Sequence, residues 1–140
     1  MHLQLITLTG VSLDAEVYEL MAPTAAGDIA VFPGHEALVT MAAPGALGVR
    51  YNKGDSDAKV EYFAISGGVI DISHDEIRVL VDEADKAEEI VEAEAKQALE
   101  NAKKLRSEAK SQVELDKAME LIDRSTVRLR VAELQRRRKR

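Results

Sequence analysis

Ile77-Arg78-Val79-Leu80-Val81-Asp82-Glu83-Ala84-Asp85-Lys86-Ala87-Glu88-Glu89-Ile90-Val91-Glu92-Ala93-Glu94-Ala95 is the stretch on which the fold turns. Its first five residues alternate, with Ile77, Val79 and Val81 on one face, the period-2 signature of a strand buried on one side. From Ala84 onward the composition becomes Ala, Glu, Lys, Leu and Arg, all good helix formers, and apolar positions recur every three or four residues. A chain that changes period in this way has a strand-built part followed by a helical part. The boundary is set near Glu83, giving units of 1–83 and 84–140.

Punctuation residues divide the chain in the same place. All 8 glycines, all 3 prolines and every aromatic (Tyr18, Phe32, Tyr51, Tyr62, Phe63) precede Val69. Glycine and proline break helices, so the rest of the chain is free to run as long helices. Upstream, strands are expected at residues 3–8, 16–21, 29–32, 38–42, 46–51, 59–65, 69–73 and 77–81. Turns such as Ala26-Gly27-Asp28, Ala43-Pro44-Gly45 and Ser73-His74-Asp75 separate them at the spacing of a sandwich or barrel. Ile70 and Ile72, like Ile77, Val79 and Val81, are expected to face inward. Downstream, Ala87, Val91, Ala95, Ala98, Ala102, Leu105 and Ala109 form one stripe, and Leu115, Met119, Ile122, Leu129 and Ala132 another. Neither helix is stable alone in water, so the two stripes pack antiparallel around a turn within 107–114. The expected fold is β plus α, an N-terminal antiparallel β-sandwich followed by a C-terminal antiparallel two-helix hairpin.

Composition bounds the chemistry. The chain has 140 residues, 46% hydrophobic and 31% charged, enough for one real core. It contains no apolar run of the roughly 20 residues a spanning helix needs, and Met1-His2-Leu3-Gln4 has neither the basic nor the apolar region of a signal peptide. With no cysteine there is no disulfide, thiolate nucleophile or cysteine zinc site, and a histidine metal cage would need His2, His35 and His74 together. Charge is partitioned: residues 1–83 carry 4 basic and 13 acidic groups, whereas 84–140 carry 15 basic and 12 acidic. The basic groups gather at the end, which therefore calls for an acidic partner. Nucleic acid is not that partner, because the second half has no aromatic stacking platform. A membrane surface lacks its Trp or Phe anchor there as well.

Candidate catalytic motifs read as structure. No GxxxxGK[ST] loop is present, and Asn52-Lys53-Gly54 places its lysine before the glycine in a hairpin turn. Ser66 stands before Gly67-Gly68, but Ala64 occupies the position where a nucleophile elbow has glycine. His74-Asp75-Glu76 is a turn between strands. His35 projects from Pro33-Gly34-His35 beside Glu36 without a nameable second group for acid/base work.

The run from Gly27-Asp28-Ile29-Ala30-Val31-Phe32 through Pro33-Gly34-His35-Glu36-Ala37-Leu38-Val39-Thr40 resembles the epsilon subunit of bacterial F-type ATP synthases. Pro44-Gly45, Phe63-Ala64-Ile65-Ser66-Gly67-Gly68-Val69, Arg78-Val79-Leu80-Val81-Asp82 and Leu129-Arg130-Val131-Ala132-Glu133-Leu134 extend the resemblance over nearly the whole chain. It implies a non-catalytic rotor subunit of the central stalk, bound to the gamma subunit and the c ring, that couples rotation and proton transport to ATP synthesis. It implies peripheral placement on the cytoplasmic face of the bacterial cell membrane, without direct insertion. Asp28 and Pro33, Gly34 and His35 fall on positions that face the c ring and gamma, and Leu38 and Thr40 on the strand flanking gamma.

The same resemblance implies that the hairpin either folds against the sandwich or extends beside gamma. In the extended state, basic residues of its second helix meet the catalytic beta subunit, alongside alpha, and restrain ATP hydrolysis. Arg124, Arg128 and Arg130, with Arg136, Arg137, Arg138, Lys139 and Arg140, fit that use. Members that sense ATP carry (I/L)DxxRA, where this chain has Ile90-Val91-Glu92-Ala93-Glu94-Ala95. Val91 replaces the Asp and Glu94 the Arg, so no nucleotide site is expected. No cofactor or metal is expected either. A free-standing adaptor or holdase gripping clients with its hairpin is the alternative, and a hydrolase using Ser66 with His35 or His74 ranks third.

Overall fold

The computed structural model describes residues 1–139; Arg140, expected above in the basic run, lies outside the described residues. Ten strands come first: β1 (His2–Thr7), β2 (Gly10–Glu16), β3 (Glu19–Thr24), β4 (Gly27–Val31), β5 (Leu38–Ala42), β6 (Gly45–Arg50), β7 (Glu61–Ile65), β8 (Gly68–Ser73), β9 (Glu76–Val81) and β10 (Ala84–Lys86). Two helices follow, α1 (Glu92–Glu108) and α2 (Gln112–Arg138). The strands pair in the order β10-β7-β6-β3-β5-β8-β9-β1-β2, with β4 against the other edge of β3. Only Thr24 opposite Ala42 joins β3 to β5, and at that corner the sheet folds over on itself.

The inward faces meet as one core. Leu3, Leu5, Leu20, Val31, Leu47, Val49, Ile70 and Val79 are wholly buried there, with Phe63, Ile72, Ile77 and Val81 beside them. The alternation read in β8 and β9 therefore holds residue by residue. One ladder departs from the antiparallel expectation: β1 runs parallel to β9, from His2 opposite Glu76 to Ile6 opposite Leu80.

Two further departures have local causes. The strand expected at residues 16–21 spans the end of β2 and the start of β3, with Val17 and Tyr18 at the bend; β2 is an edge strand whose own alternation, Val11, Leu13 and Ala15 between polar residues, the sequence reading missed. Helix does not begin at Ala84. Residues 84–86 instead extend the sheet along β7, a single 3-10 turn follows at Ala87–Glu89, and α1 starts at Glu92. Propensity favoured helix, but the unpaired edge of β7 offered ladder hydrogen bonds that a helix could not supply.

β7 is buried on both faces. Phe63 and Ile65 point into the sandwich, while Tyr62 and Ala64 belong to a second cluster with Val60, Ala87, Ile90, Ala95, Val131 and Ala132. That cluster seats the end of α2 on the outside of the sheet. The helices pair through small residues, with Ala95 and Ala102 of α1 and Ala118 and Ser125 of α2 buried. The turn between them falls at residues 109–111, within the expected window. Val91, Ala98, Leu105 and Met119, expected on the stripes, are exposed: the seam is a narrower row of Ala and Ser than the stripes read from the sequence, with no room for Leu105 or Met119.

Candidate binding faces

The outer face of the sheet carries an apolar row that alternation alone does not reveal. Met41 of β5 stands opposite Val69 of β8, Val69 opposite Leu80 of β9, Leu80 opposite Ile6 of β1, and Ile6 opposite Val11 of β2. Side chains at directly opposed positions share a face, so these five residues cross five strands as a continuous band. Met41 and Val11 are each 58% exposed and Leu80 is 44% exposed. The next row, Asp71, Arg78, Gln4 and Asp14, is polar and mixed in charge, with exposed Val39 at its end. An apolar band rimmed by polar side chains is the pattern of a protein contact surface.

The turn read from the sequence lies near the β8–β9 turn, with Phe32, Gly34 and His35 lining a small cleft with Ser73, Asp75 and Glu76. Asp28 is exposed on β4, and Phe32, Pro33 and Gly34 are exposed where Gly34 takes the left-handed φ of +88° that the tight turn requires. His35 is half-buried: its backbone N–H donates to Phe32 O at 3.1 Å, and its ring Nδ1 donates to the Glu36 carbonyl at 2.6 Å. That bond fixes the tautomer and gives the ring a structural use in the turn. Phe32 also meets Tyr18 edge to face, with centroids 5.6 Å apart. Leu38 and Thr40 stand opposite Ile72 and Ile70, on the register of the core side; Thr40 is half-buried and Leu38 is 39% exposed at the strand's end. Their strand neighbours Val39 and Met41 occupy the outer face, which the sequence reading missed.

The hydroxyl of Ser66 accepts from the Glu83 N–H at 3.0 Å and reaches the Glu83 carbonyl at 3.4 Å. It ties two chain segments together, and neither His35 nor His74 is its partner. His74 is exposed on the β8–β9 turn with Asp75 Oδ2 at 3.4 Å. Among the described residues no group of His, Asp or Glu is arranged to hold a metal, and no helix is long and apolar enough to cross a membrane.

The basic face of α2 is engaged with the chain itself. Arg124 Nε lies 2.7 Å from Glu83 Oε2, Arg128 Nε 3.3 Å from Asp85 Oδ2, Arg136 Nη1 3.6 Å from Glu92 Oε2, and Arg138 Nη1 2.8 Å from Asp57 Oδ2. Lys139 pairs with Glu88. Asp57 also accepts from Arg50 Nη2 at 2.8 Å, and Arg50 in turn holds Glu19 and the Asp55 carbonyl. The hydrogen bond from Arg50, then the charge of Arg138, keeps the Asp57 carboxyl below its usual range; Lys139 does the same for Glu88. Arg130 and Arg137 are exposed and have no carboxylate partner among the described residues. Val91, at the N-cap of α1, is 50% exposed and makes no capping bond; Glu94 is exposed in the first turn.

A sandwich with an open apolar face and a basic helical arm is the build of a subunit in a larger assembly. Residues 1–87 match the family described as "ATP synthase, Delta/Epsilon chain, beta-sandwich domain". The chain is 35% identical over 98% of its length to the ATP synthase epsilon chain of Herpetosiphon aurantiacus, covering 97% of that protein. It is 34% identical over 95% of its length to the epsilon chain of Chloroflexus aggregans, covering 92% of it. A chain of the Euglena gracilis mitochondrial ATP synthase, solved with its c ring, superposes with a TM-score of 0.69 at 27% identity over 96% of this chain and 78% of that one. The chain belongs to the ATP synthase epsilon-chain family.

Proposed function

We propose that this chain is the non-catalytic central-stalk subunit of a bacterial F-type ATP synthase, coupling rotation and proton transport to ATP synthesis. It binds gamma and the c ring at the cytoplasmic face of the cell membrane, peripherally and without insertion. The observation that carries this reading is the band of Met41, Val69, Leu80, Ile6 and Val11, an apolar surface on an otherwise polar sandwich wall. Gamma covers that band, while Asp28 and the turn at Pro33, Gly34 and His35 lie at the c-ring and gamma rim. The folded-over sheet behind it is a stiff body, suited to carrying torque without internal sliding.

The hairpin is the regulatory arm. With α2 seated on β7, most of its cations are neutralised by Glu83, Asp85, Glu92, Asp57 and Glu88 of the same chain. Released, Arg124, Arg128, Arg130, Arg136, Arg137 and Arg138 present a dense positive face to the catalytic beta subunit, alongside alpha, and restrain hydrolysis. The arrangement makes the acidic rim of the sandwich a competitor for the partner's acidic groups.

Assembly tests the first claim. Met41→Glu with Leu80→Glu places two carboxylates on the band; because both side chains are already exposed in the free subunit, its thermal stability should hardly change. Burying unpaired charge costs several kcal/mol, so binding to purified gamma should weaken at least 100-fold. Unchanged affinity in a folded double variant would place gamma elsewhere.

A further inference from the structure

Gln135 is a buried polar side chain for which sequence pattern gives no reason. It sits in the last turn of α2 and is 5% exposed. Its Oε1 accepts from the backbone N–H of Tyr62 at 2.9 Å, and its Nε2 donates to the backbone carbonyl of Val60 at 3.0 Å. These two groups lie on the edge of β7 just past the point where β10 stops. The β10 ladder ends with Lys86 opposite Phe63, and the chain then leaves the sheet in the 3-10 turn at Ala87–Glu89. The edge is left one donor and one acceptor short, and a primary amide is the side chain that presents the missing acceptor and donor together, as a further strand residue would.

Its surroundings are dry. Gln135 and both of its bonds are buried at the end of α2 that the cluster of Tyr62, Ala87, Ile90, Val131 and Ala132 seats on the sheet. Arg138 on Asp57 and Lys139 on Glu88 flank it on the solvent side. Lifting the end of α2 exposes the edge of β7, where water can satisfy it, whereas a seated helix without the amide would leave both groups unsatisfied and dry.

We infer that Gln135 is the latch of the hairpin, a positioning residue whose paired hydrogen bonds to Val60 and Tyr62 set the balance between the seated and released arm. The consequence for hydrolysis rests on the regulatory reading above; the latch itself does not. Two dry, mutually supporting hydrogen bonds reward only the seated geometry, whereas the surrounding apolar contacts tolerate small shifts of the helix. The amide therefore makes seating all-or-none.

Amide exchange in the full-length chain tests it. Gln135→Leu keeps volume and removes both bonds; the Tyr62 N–H should exchange roughly 10- to 100-fold faster, while Val79 in the core ladder keeps its protection. Arg138→Ala, which removes only an exposed tether and threatens no core, should speed Tyr62 by roughly two- to five-fold. A Tyr62 rate that ignores both variants, or a Val79 rate that rises in step with it, overturns the latch. In the assembled synthase, Gln135→Leu should lower ATP hydrolysis. If Tyr62 responds and hydrolysis does not, the latch stands and the inhibitory role of the arm falls.

Discussion

On the regulatory role proposed above for the hairpin, the ion pairs between α2 and the residues following β9 can be cut from either side, and the two cuts should move hydrolysis in opposite directions. Arg124 reaches Glu83 at 2.7 Å and Arg128 reaches Asp85 at 3.3 Å, whereas Arg130 has no such partner among the described residues. Two unit charges at 4 Å attract by roughly 4 kcal/mol at an effective dielectric near 20, before desolvation and side-chain ordering are subtracted. The first pair is 49% and 44% exposed and the second 28% and 37%, so solvent screening leaves about 0.2 to 1 kcal/mol each. Together they bias the seated state by about 0.5 to 2 kcal/mol, a change of roughly two- to thirty-fold in the seated-to-released ratio. Glu83→Gln with Asp85→Asn removes that bias and leaves every arginine available to the catalytic subunits; steady-state hydrolysis in the assembled complex should fall. Replacing Arg124, Arg128 and Arg130 together with alanine removes the same two pairs but also the cations the released arm uses, and hydrolysis should rise. Added salt should bring the parent toward the triple variant, because exposed charges are screened over about 10 Å at 0.1 M. If both variants shift hydrolysis the same way, or neither shifts it while the complex stays assembled, the arginines are a solvated face and the electrostatic account is wrong.

Four shorter expectations follow from the same geometry. Asp57 and Glu88 titrate below the ordinary carboxylate range, so their contacts with Arg138 and Lys139 contribute fully above about pH 4 and are lost as pH falls through the lowered values; NMR resonances at Arg138 should move in that acid range while those of Val79 stay. Val91 has the extended N-cap backbone, φ −88° and ψ 109°, without a capping side chain, so Val91→Ser supplies the bond and forms a capping box with Glu94, raising hairpin stability by about 1 kcal/mol in thermal melts. At Gly68 a Cβ would lie 2.0 Å from the Leu80 carbonyl of the neighbouring strand, so Gly68→Ala should cost about 3 kcal/mol or more in a urea titration. Calorimetric titration of the chain with millimolar Mg-ATP should give no saturable isotherm, because Val91 and Glu94 stand where the family's nucleotide motif has its Asp and Arg; a 1:1 curve would mean that other side chains rebuild the site.

Local rules made much of this fold readable. Alternation in Ile70, Ile72, Ile77, Val79 and Val81 names core residues because a strand with one wet face admits no other register. The helix turn at residues 109–111 is legible because Ser111 caps α2, accepting from the Glu114 N–H at 3.1 Å. Pairings set by distant partners were not legible. Nothing within β1 says that it lies parallel to β9, and nothing within residues 84–86 outweighs their helical propensity except an edge of β7 some 20 residues earlier. Gln135 reads as one more helix former, since its partners are backbone groups more than 70 residues away. The outer band stayed hidden for a related reason: Met41, Leu80, Ile6 and Val11 become one surface only when five strands come into register.

The parallel ladder of β1 on β9 also sets a timetable for the growing chain. His2 pairs with Glu76, so β1, made before the other strands described, waits for almost the last strand of the sandwich before its second edge is covered. At roughly 5 to 20 residues per second, that wait lasts about 4 to 15 s. During it β1 has only β2 for company, and a lone two-stranded hairpin is marginal in water. Leu3 and Leu5, wholly buried in the finished core, spend those seconds uncovered. The β1–β2 hairpin is thus a segment of nascent chain open to capture by chaperones or to aggregation, and a slow-codon pause that falls before β9 has emerged prolongs that exposure.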